Sequence, residues 1–309
     1  MRKALLIGIN KYPTPNELNG CVHDVEQMRD LLTTKYGFAP GEIKTYLDRE
    51  ATLANMKSGL AWLAETGPGA GKDDVRVFQY SGHGSQADDK NGDEPDGADE
   101  ALCPVDFDTA GLLIDDQLRV LYERVPKESS LVLFMDCCHS GNNNRPIDLS
   151  GRHISYRFVE PSIAVQTRIE LAREKYLEER EASVKKHLRE VVSTGGISDE
   201  DFQRLYAEAQ AKFDRGRSRY GDVNNRENNL LLAGCRDNQT SADAKIDHAF
   251  HGAFTFYFAD ALKSLPATAT YRDVMKATAT SLKKERYEQI PQLEGRASRK
   301  DRPLFTPVR

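Results

Sequence analysis

The run SLVLFM (130–135) is apolar at almost every position and stops abruptly at DCCHSG (136–141). A strand that is apolar on both faces must be covered on both faces, as a central strand of a parallel sheet is. Four further runs are spaced along the chain: ALLIGI (4–9), IKTYLD (43–48), DVRVFQY (74–80) and NNLLLAG (228–234). Helical patterns separate them. VEQMRDLL follows the first run, and Leu53, Met56, Leu60 and Leu63 repeat at helical spacing before the third strand. GAFTFYFADALKSL and residues 271–287 follow the fifth, and RPLFTPV (302–308) is read as an edge strand. The alternation predicts an α/β fold, an open, mostly parallel sheet of six strands flanked by helices.

Residues 160–220 break the alternation with two long, charged helical segments, ELAREKYLEEREASVKKHLREVV and DEDFQRLYAEAQAKFDRGRSRY, joined through STGGIS. They are expected to form a helical insertion between two core strands. The first of these helices is polar on most faces, so it bridges solvent, packs along one narrow stripe, or is loosely held. The expected organisation is 1–150, a helical insertion at 151–224, and 225–309, the outer parts together forming one domain.

Composition narrows the function classes. The 43 basic and 48 acidic residues are interspersed, and the net charge of −5 provides no field for a nucleic-acid backbone or an anionic membrane. No stretch approaches the ~20 apolar residues of a membrane span. MRKALLIGIN reads as a first strand rather than a leader, so a cytoplasmic protein is expected. Five cysteines, an odd number, point to free thiols rather than a disulfide framework.

In open α/β sheets reactive groups gather beyond the carboxyl ends of the strands. The third strand runs into YSGHGS (80–85), which places His83 between two glycines, and the fourth runs into Asp136, Cys137, Cys138 and His139. If these strands are neighbours, His83 and a cysteine of the second loop can come within hydrogen-bond reach, as a thiol–imidazole pair requires. A lone cysteine at a strand end is more often a small core residue. Three adjacent residues cannot all turn to one metal ion, and no C-x-x-C partner stands elsewhere. The coincidence of two such loops is what favours catalysis.

YSGHGS followed by DCCHSG resembles the caspase-like cysteine peptidases, in the form found in metacaspases and their bacterial relatives; the Q-A-C-x-G signature of animal caspases is absent. His83 and Cys138 are 138 − 83 = 55 positions apart, close to the ~50 of caspases. LNGCVHD (18–24), DEPDGADEALCPVDF (93–107), IDDQL (114–118), GCRDNQTSADA (234–244) and PQLEG (291–295) agree with the resemblance in order. It covers roughly residues 4–141 and 229–295, leaving out the helical insertion, and makes the outer parts large-subunit-like and small-subunit-like halves.

The resemblance implies a cysteine endopeptidase with Cys138 as nucleophile, Cys137 as its neighbour, and His83 as general base. Backbone N–H groups of Gly84 and Cys138 would form the oxyanion hole. Asp24 and Asp136 would line an acidic pocket for the residue before the cut, with Cys21 and Ser81 as walls; paired carboxylates favour Arg or Lys and reject Asp. No cofactor is expected for the chemistry itself. Asp99, Asp115 and Asp116 are the implied Ca²⁺ ligands, making calcium an activator. Family members are often cut in the linker between halves, which points to Arg215, Arg217 and Arg219 as self-cleavage sites; alternatively these residues only solvate a helical arm. A monomer acting on protein or peptide substrates is expected, with neither nucleic acid nor membrane as partner. The rival reading is a caspase-like pseudo-enzyme that serves as a regulatory binding module.

Overall fold

The computed structural model describes residues 1–13, 15–67, 71, 73–89, 98–138, 154–192, 198–213, 229–236 and 239–307. In chain order the strands are β1 (Arg2–Gly8), β2 (Ile43–Leu47), β3 (Val75–Ser81), β4 (Gly84–Asp88), β5 (Ala98–Leu102), β6 (Leu113–Ile114), β7 (Ser130–Asp136), β8 (Ile154–Tyr156), β9 (Asn229–Ala233), β10 (Ala242–Ile246), β11 (Ala249–Gly252) and β12 (Gln292–Gly295). The helices are α1 (Cys21–Thr34), α2 (Leu53–Ala64), α3 (Phe107–Ala110), α4 (Asp115–Arg124), α5 (Ile163–Val192), α6 (Asp199–Phe213), α7 (Ala253–Ser264), α8 (Tyr271–Lys284) and α9 (Ala297–Lys300).

The main sheet has six strands in the order β12-β9-β7-β3-β1-β2, parallel except for β12. Period-two alternation divides its side chains between two cores. Leu5, Ile7, Phe78, Tyr80, Leu131 and Leu133 pack with Met56, Leu60 and Leu63 of α2 and Leu118 of α4. Ala4, Leu6, Val75, Val77, Val132 and Phe134 face Val25 and Met28 of α1, Phe254 and Phe258 of α7, and Val274 of α8. Every residue of β3 and β7 is buried, as strands covered on both faces must be.

The expected edge strand at 302–308 is not one. The sheet edge is β12, from PQLEG, running antiparallel to β9, while Pro303 makes only an isolated bridge to Thr270. Two prolines in RPLFTPV lack the N–H groups that a ladder needs. Two small sheets were not anticipated: β4-β5-β6 and β11-β10-β8. The β10–β11 hairpin turns on Asp247 and His248, both at positive φ (47° and 72°), the geometry of a tight two-residue turn that matches strand twist.

The insertion contains the two expected helices, and they take the narrow-stripe alternative: Val184 and Leu188 of α5 meet Leu205 and Ala209 of α6. Arg168 at the start of α5 joins Asp88 of β4 at 3.0 Å. No helix among the described residues is long and apolar enough to cross a membrane.

Because β1 leads to β2 on one side and to β3 on the other, the sheet has a switch point between β1 and β3. Gly8, Ser81 and Asp136 lie in register across the carboxyl ends of β1, β3 and β7. The candidate site is built on this row.

Candidate active site

His83 is set by a short loop after β3 and held by two tyrosines. Its N–H donates to Tyr12 Oη at 3.0 Å, and Tyr80 Oη donates to its carbonyl at 2.7 Å. Gly82 is required here, since a Cβ would lie 2.5 Å from Tyr12 Oη and 2.7 Å from Tyr80 Oη. The imidazole stands 4.7 Å from the Tyr12 ring, with Nε2 at 2.7 Å from the Asn16 carbonyl oxygen. A carbonyl can only accept, so Nε2 carries the proton and Nδ1 bears the lone pair. Nδ1 is buried, with no hydrogen-bond partner among the described residues. Burial pushes the imidazole pKa down to about 4, against the pull of the Asn16 carbonyl, so His83 is neutral near pH 7.

The two adjacent cysteines diverge. Cys137 packs into the main core, whereas Cys138 joins Phe158 and Cys235 in a separate small cluster. The Cys138 thiol accepts from the Ser241 N–H and lies 3.6 Å from the Ser241 carbonyl oxygen. All five cysteines are buried free thiols, as the odd count suggested.

Between the two loops lies an extended stretch of the chain itself. Its β8 portion pairs antiparallel with β10, Tyr156 opposite Ala242 and Ser155 opposite Asp243. Arg157 continues the ladder by donating its N–H to the Ser241 carbonyl at 3.2 Å. The Arg157 carbonyl accepts from Gly84 N–H at 3.0 Å and from Cys138 N–H at 3.1 Å, the pair expected to form the oxyanion hole. Phe158 bridges Gly84, Val159 N–H donates to the Gly84 carbonyl at 2.9 Å, and Ser85 Oγ donates to the Val159 carbonyl at 2.8 Å.

The Arg157 side chain is fully buried in an acidic pocket. Its Nη2 meets Asp24 Oδ2 at 2.7 Å and Asp243 Oδ1 at 3.3 Å, while Nη1 meets Asp136 Oδ2 at 3.2 Å and the Asp136 carbonyl oxygen at 3.0 Å. The carboxylates are themselves fixed. Asp136 accepts from the hydroxyls of Ser241 and Thr255, each at 2.6 Å, and Asp243 accepts from the Asn19 and Gly20 N–H groups at 2.7 and 2.9 Å. Gly252 N–H donates to Asp24 at 3.0 Å, and a Cβ at Gly252 would run into the Asp136 carboxylate and the Arg157 guanidinium. Burial raises the Asp24 pKa above the ordinary carboxylate range; the Arg157 guanidinium opposes this and Asp136 adds to it. Three carboxyl groups converge on a single guanidinium.

His83, Gly84, Cys138, Asp24 and Asp136 are thus brought together around one residue. Cys21, at the start of α1, is buried beside this cluster; burial raises its thiol pKa and the Arg157 charge lowers it. Ser81 is buried at the end of β3, its Oγ without a hydrogen-bond partner among the described residues. Asp99 and Asp115 are buried on β5 and at the start of α4, on the β4-β5-β6 side. The Asp116 side chain and Arg215, Arg217 and Arg219 lie outside the described residues. Among the described residues no group of three or more His, Cys, Asp or Glu side chains is arranged to hold a metal ion.

The sequence reading missed Arg157, Asp243, Ser241, Gly252 and Asn16. GCRDNQTSADA carries part of the resemblance, but nothing in it marks Asp243 as a pocket residue, and a lone arginine in ISYRFVE carries no signal.

A family model for the metacaspase, peptidase C14 domain matches residues 2–145. Metacaspase-1 of Schizosaccharomyces pombe is 31% identical over 94% of this chain and 66% of its own length. Metacaspase-1 of Scheffersomyces stipitis is 32% identical over 94% of this chain and 70% of its own, and that of Ajellomyces capsulatus 31% over 94% and 79%. The chain spans about two thirds of the length of several of these curated relatives. A crystal structure of a protein from Geobacter sulfurreducens superposes with a TM-score of 0.63 at 26% identity over 99% of both chains. With these similarities the chain belongs to the metacaspase family of peptidase C14.

Proposed function

We propose that the protein is a cysteine endopeptidase that cuts peptide bonds after arginine or lysine. One observation carries this reading: an arginine lies in the cleft with its guanidinium among Asp24, Asp136 and Asp243 and its carbonyl oxygen on the N–H groups of Gly84 and Cys138. Side chain and carbonyl of one residue meet the two kinds of group that a peptidase offers to the residue before its cut. Buried carboxylates suit a planar guanidinium or an ammonium and repel an acidic side chain.

In this reading His83 Nδ1 takes the Cys138 thiol proton, and the thiolate attacks the substrate carbonyl carbon. The developing oxyanion is stabilised by the N–H groups of Gly84 and Cys138. His83 returns the proton to the leaving amine, and water then hydrolyses the thioester with His83 as base. The Asn16 carbonyl keeps the imidazole in the tautomer that this requires. Substrates would be proteins or peptides, met in the cytoplasm by a monomer.

Calcium is part of the proposal as an activator through Asp99, Asp115 and Asp116. Carboxylates are hard donors suited to Ca²⁺, and no step of bond cleavage uses the ion. The test is turnover of matched fluorogenic peptides ending in Arg, Lys or Asp, by wild type and Cys138→Ala, with calcium or a chelator. Arg and Lys cleavage that disappears in Cys138→Ala is expected, and the chelator decides the calcium role. Failure to turn over any of them, with the cleft open, would leave a caspase-like binding module.

A further inference from the structure

We propose that Gln289, between α8 and β12, is a positioning residue for the specificity pocket: its amide sets the Ser241 hydroxyl, which in turn fixes the Asp136 carboxylate for an arginine side chain. The proposal rests on the peptidase reading above and deepens it by naming the residue that tunes the pocket for arginine over lysine.

Gln289 is buried, and its side chain reaches the segment between β9 and β10. Its Oε1 accepts from the Ala242 N–H at 2.9 Å, and its Nε2 donates to the Gly234 carbonyl at 2.9 Å and to Ser241 Oγ at 3.3 Å. Only the amide oxygen can meet an N–H and only the amide nitrogen can meet a carbonyl, so Ala242 and Gly234 together fix which way the amide faces. The Ser241 oxygen therefore receives a proton from Gln289 and must point its own elsewhere. That proton goes to Asp136 Oδ1, at 2.6 Å. The other carboxylate oxygen is fixed by the hydroxyl and N–H of Thr255, at 2.6 and 3.1 Å. Asp136 is left with Oδ2 and its own carbonyl turned to one arm of the guanidinium, at 3.2 and 3.0 Å.

The contacts of Gln289 point inward, toward this carboxylate. A neighbouring amide, Gln239, already ties the two segments together nearer the surface, its Oε1 accepting from the Ile290 N–H at 3.0 Å and its Nε2 donating to the Glu288 carbonyl at 2.7 Å. A second amide, buried, is not needed to repeat that bond. The backbone also leaves room for the relay: a Cβ at Gly234 would lie 2.9 Å from Ser241 Oγ and 3.2 Å from Asp136 Oδ1.

The consequence falls on specificity. A planar guanidinium needs acceptors in fixed directions, whereas an ammonium is a compact charge with freely rotating donors. A carboxylate released from its hydroxyl keeps its charge and loses its direction, which harms arginine more than lysine.

The experiment measures kcat/KM for matched Arg and Lys peptides with full-length wild type, Gln289→Met, Gln289→Glu, Ser241→Ala and the double variant Gln289→Met with Ser241→Ala. The readout is the Arg:Lys ratio. Incomplete folding, or competition from the chain's own Arg157, scales both peptides equally and cancels from it. Met keeps the volume without the polar contacts, and an ionised Glu keeps an acceptor for the Ala242 N–H but cannot donate to Ser241. Both are expected to lower the ratio by about tenfold, the scale of one oriented hydrogen bond to a charged group. Ser241→Ala should lower it by a similar factor. Adding Gln289→Met to Ser241→Ala should then change it by less than about twofold, because the amide acts through the hydroxyl. An unchanged ratio in either Gln289 variant, or a further tenfold loss in the double variant, would overturn the proposal and leave the peptidase reading standing. A wild type that turns over neither peptide would overturn that reading and the proposal with it.

Discussion

The cleft and the helical arm use the same residue types in opposite ways. In the cleft one guanidinium is shared by three carboxylates, and the side chains of Arg157, Asp24, Asp136 and Asp243 are withdrawn from water. On α5 the pairs Lys185–Glu181 and Lys175–Glu179 have side chains 60–77% exposed. Exposed helical pairs contribute about 0.3–0.5 kcal/mol each, whereas stripping one partner from a buried pair costs roughly 3–5 kcal/mol. The charges in the cleft are therefore arranged to hold a cation, and those on the arm mainly keep a helix in solution. Apolar packing follows the same division. β3 and β7 are buried throughout, while α5 and α6 meet through a few residues on one stripe.

The sharpest break in the comparison lies at Cys138. Cys138→Ala should lower turnover of an external Arg peptide by on the order of 10⁴-fold or more, while Cys137→Ala, a change in the core, should retain much of it. Steady-state assays of both decide it, and the reverse result would sink the assignment.

Next comes the pocket residue that motif matching missed. Asp243→Ala should cut kcat/KM for Arg peptides by roughly 100-fold or more, through loss of a buried charge partner. If the Arg preference survives, Asp243 only supports the hairpin.

His83 gives the third. Its folded pKa, about 4, lies below the ordinary 6.5, so the unfolded chain binds more protons between these values. The stability is fully present above pH 6.5 and is lost as pH falls toward 4, by about 2 kcal/mol at pH 5 relative to pH 7.5. Urea midpoints of wild type should fall more than those of His83→Gln over that interval; equal shifts would mean that His83 is not shielded.

A smaller effect is expected at Gly252. Ala there places a methyl against the Asp136 carboxylate and the guanidinium site, and should reduce kcat/KM for Arg peptides by about tenfold, with small residues at this position setting pocket volume. Smallest of all, Glu181→Ala on the arm should change unfolding free energy by no more than ~0.5 kcal/mol. A larger change there would erase the contrast between the two regions.

Much of the architecture was legible in the chain. Runs such as SLVLFM and ALLIGI must be buried on both faces, and that requirement alone leads to a covered parallel sheet with the HG and DCC loops at its carboxyl edge. The family resemblance carried by short motifs pointed to His83, Cys138, Asp24 and Asp136 as candidates, since each motif lies within one short stretch at a strand end or helix start. The edge strand was misplaced because apolarity in RPLFTPV says nothing of which N–H groups a ladder can use.

That Arg157 and Asp243 join Asp24 and Asp136 in one pocket could not be read this way. Asp24, Asp136, Arg157 and Asp243 are separated by as many as 243 − 24 = 219 positions, and no periodicity links them. They meet because β7 delivers Asp136 beside Ser81, α1 opens next to Gly8, and the tight β10–β11 turn places Asp243 opposite Gly252. Short-range chemistry determines strands and the loops that follow them. Which arginine fills the cleft depends on long-range register and on the cost of leaving buried carboxylates without a cation, and those are properties of the folded chain alone.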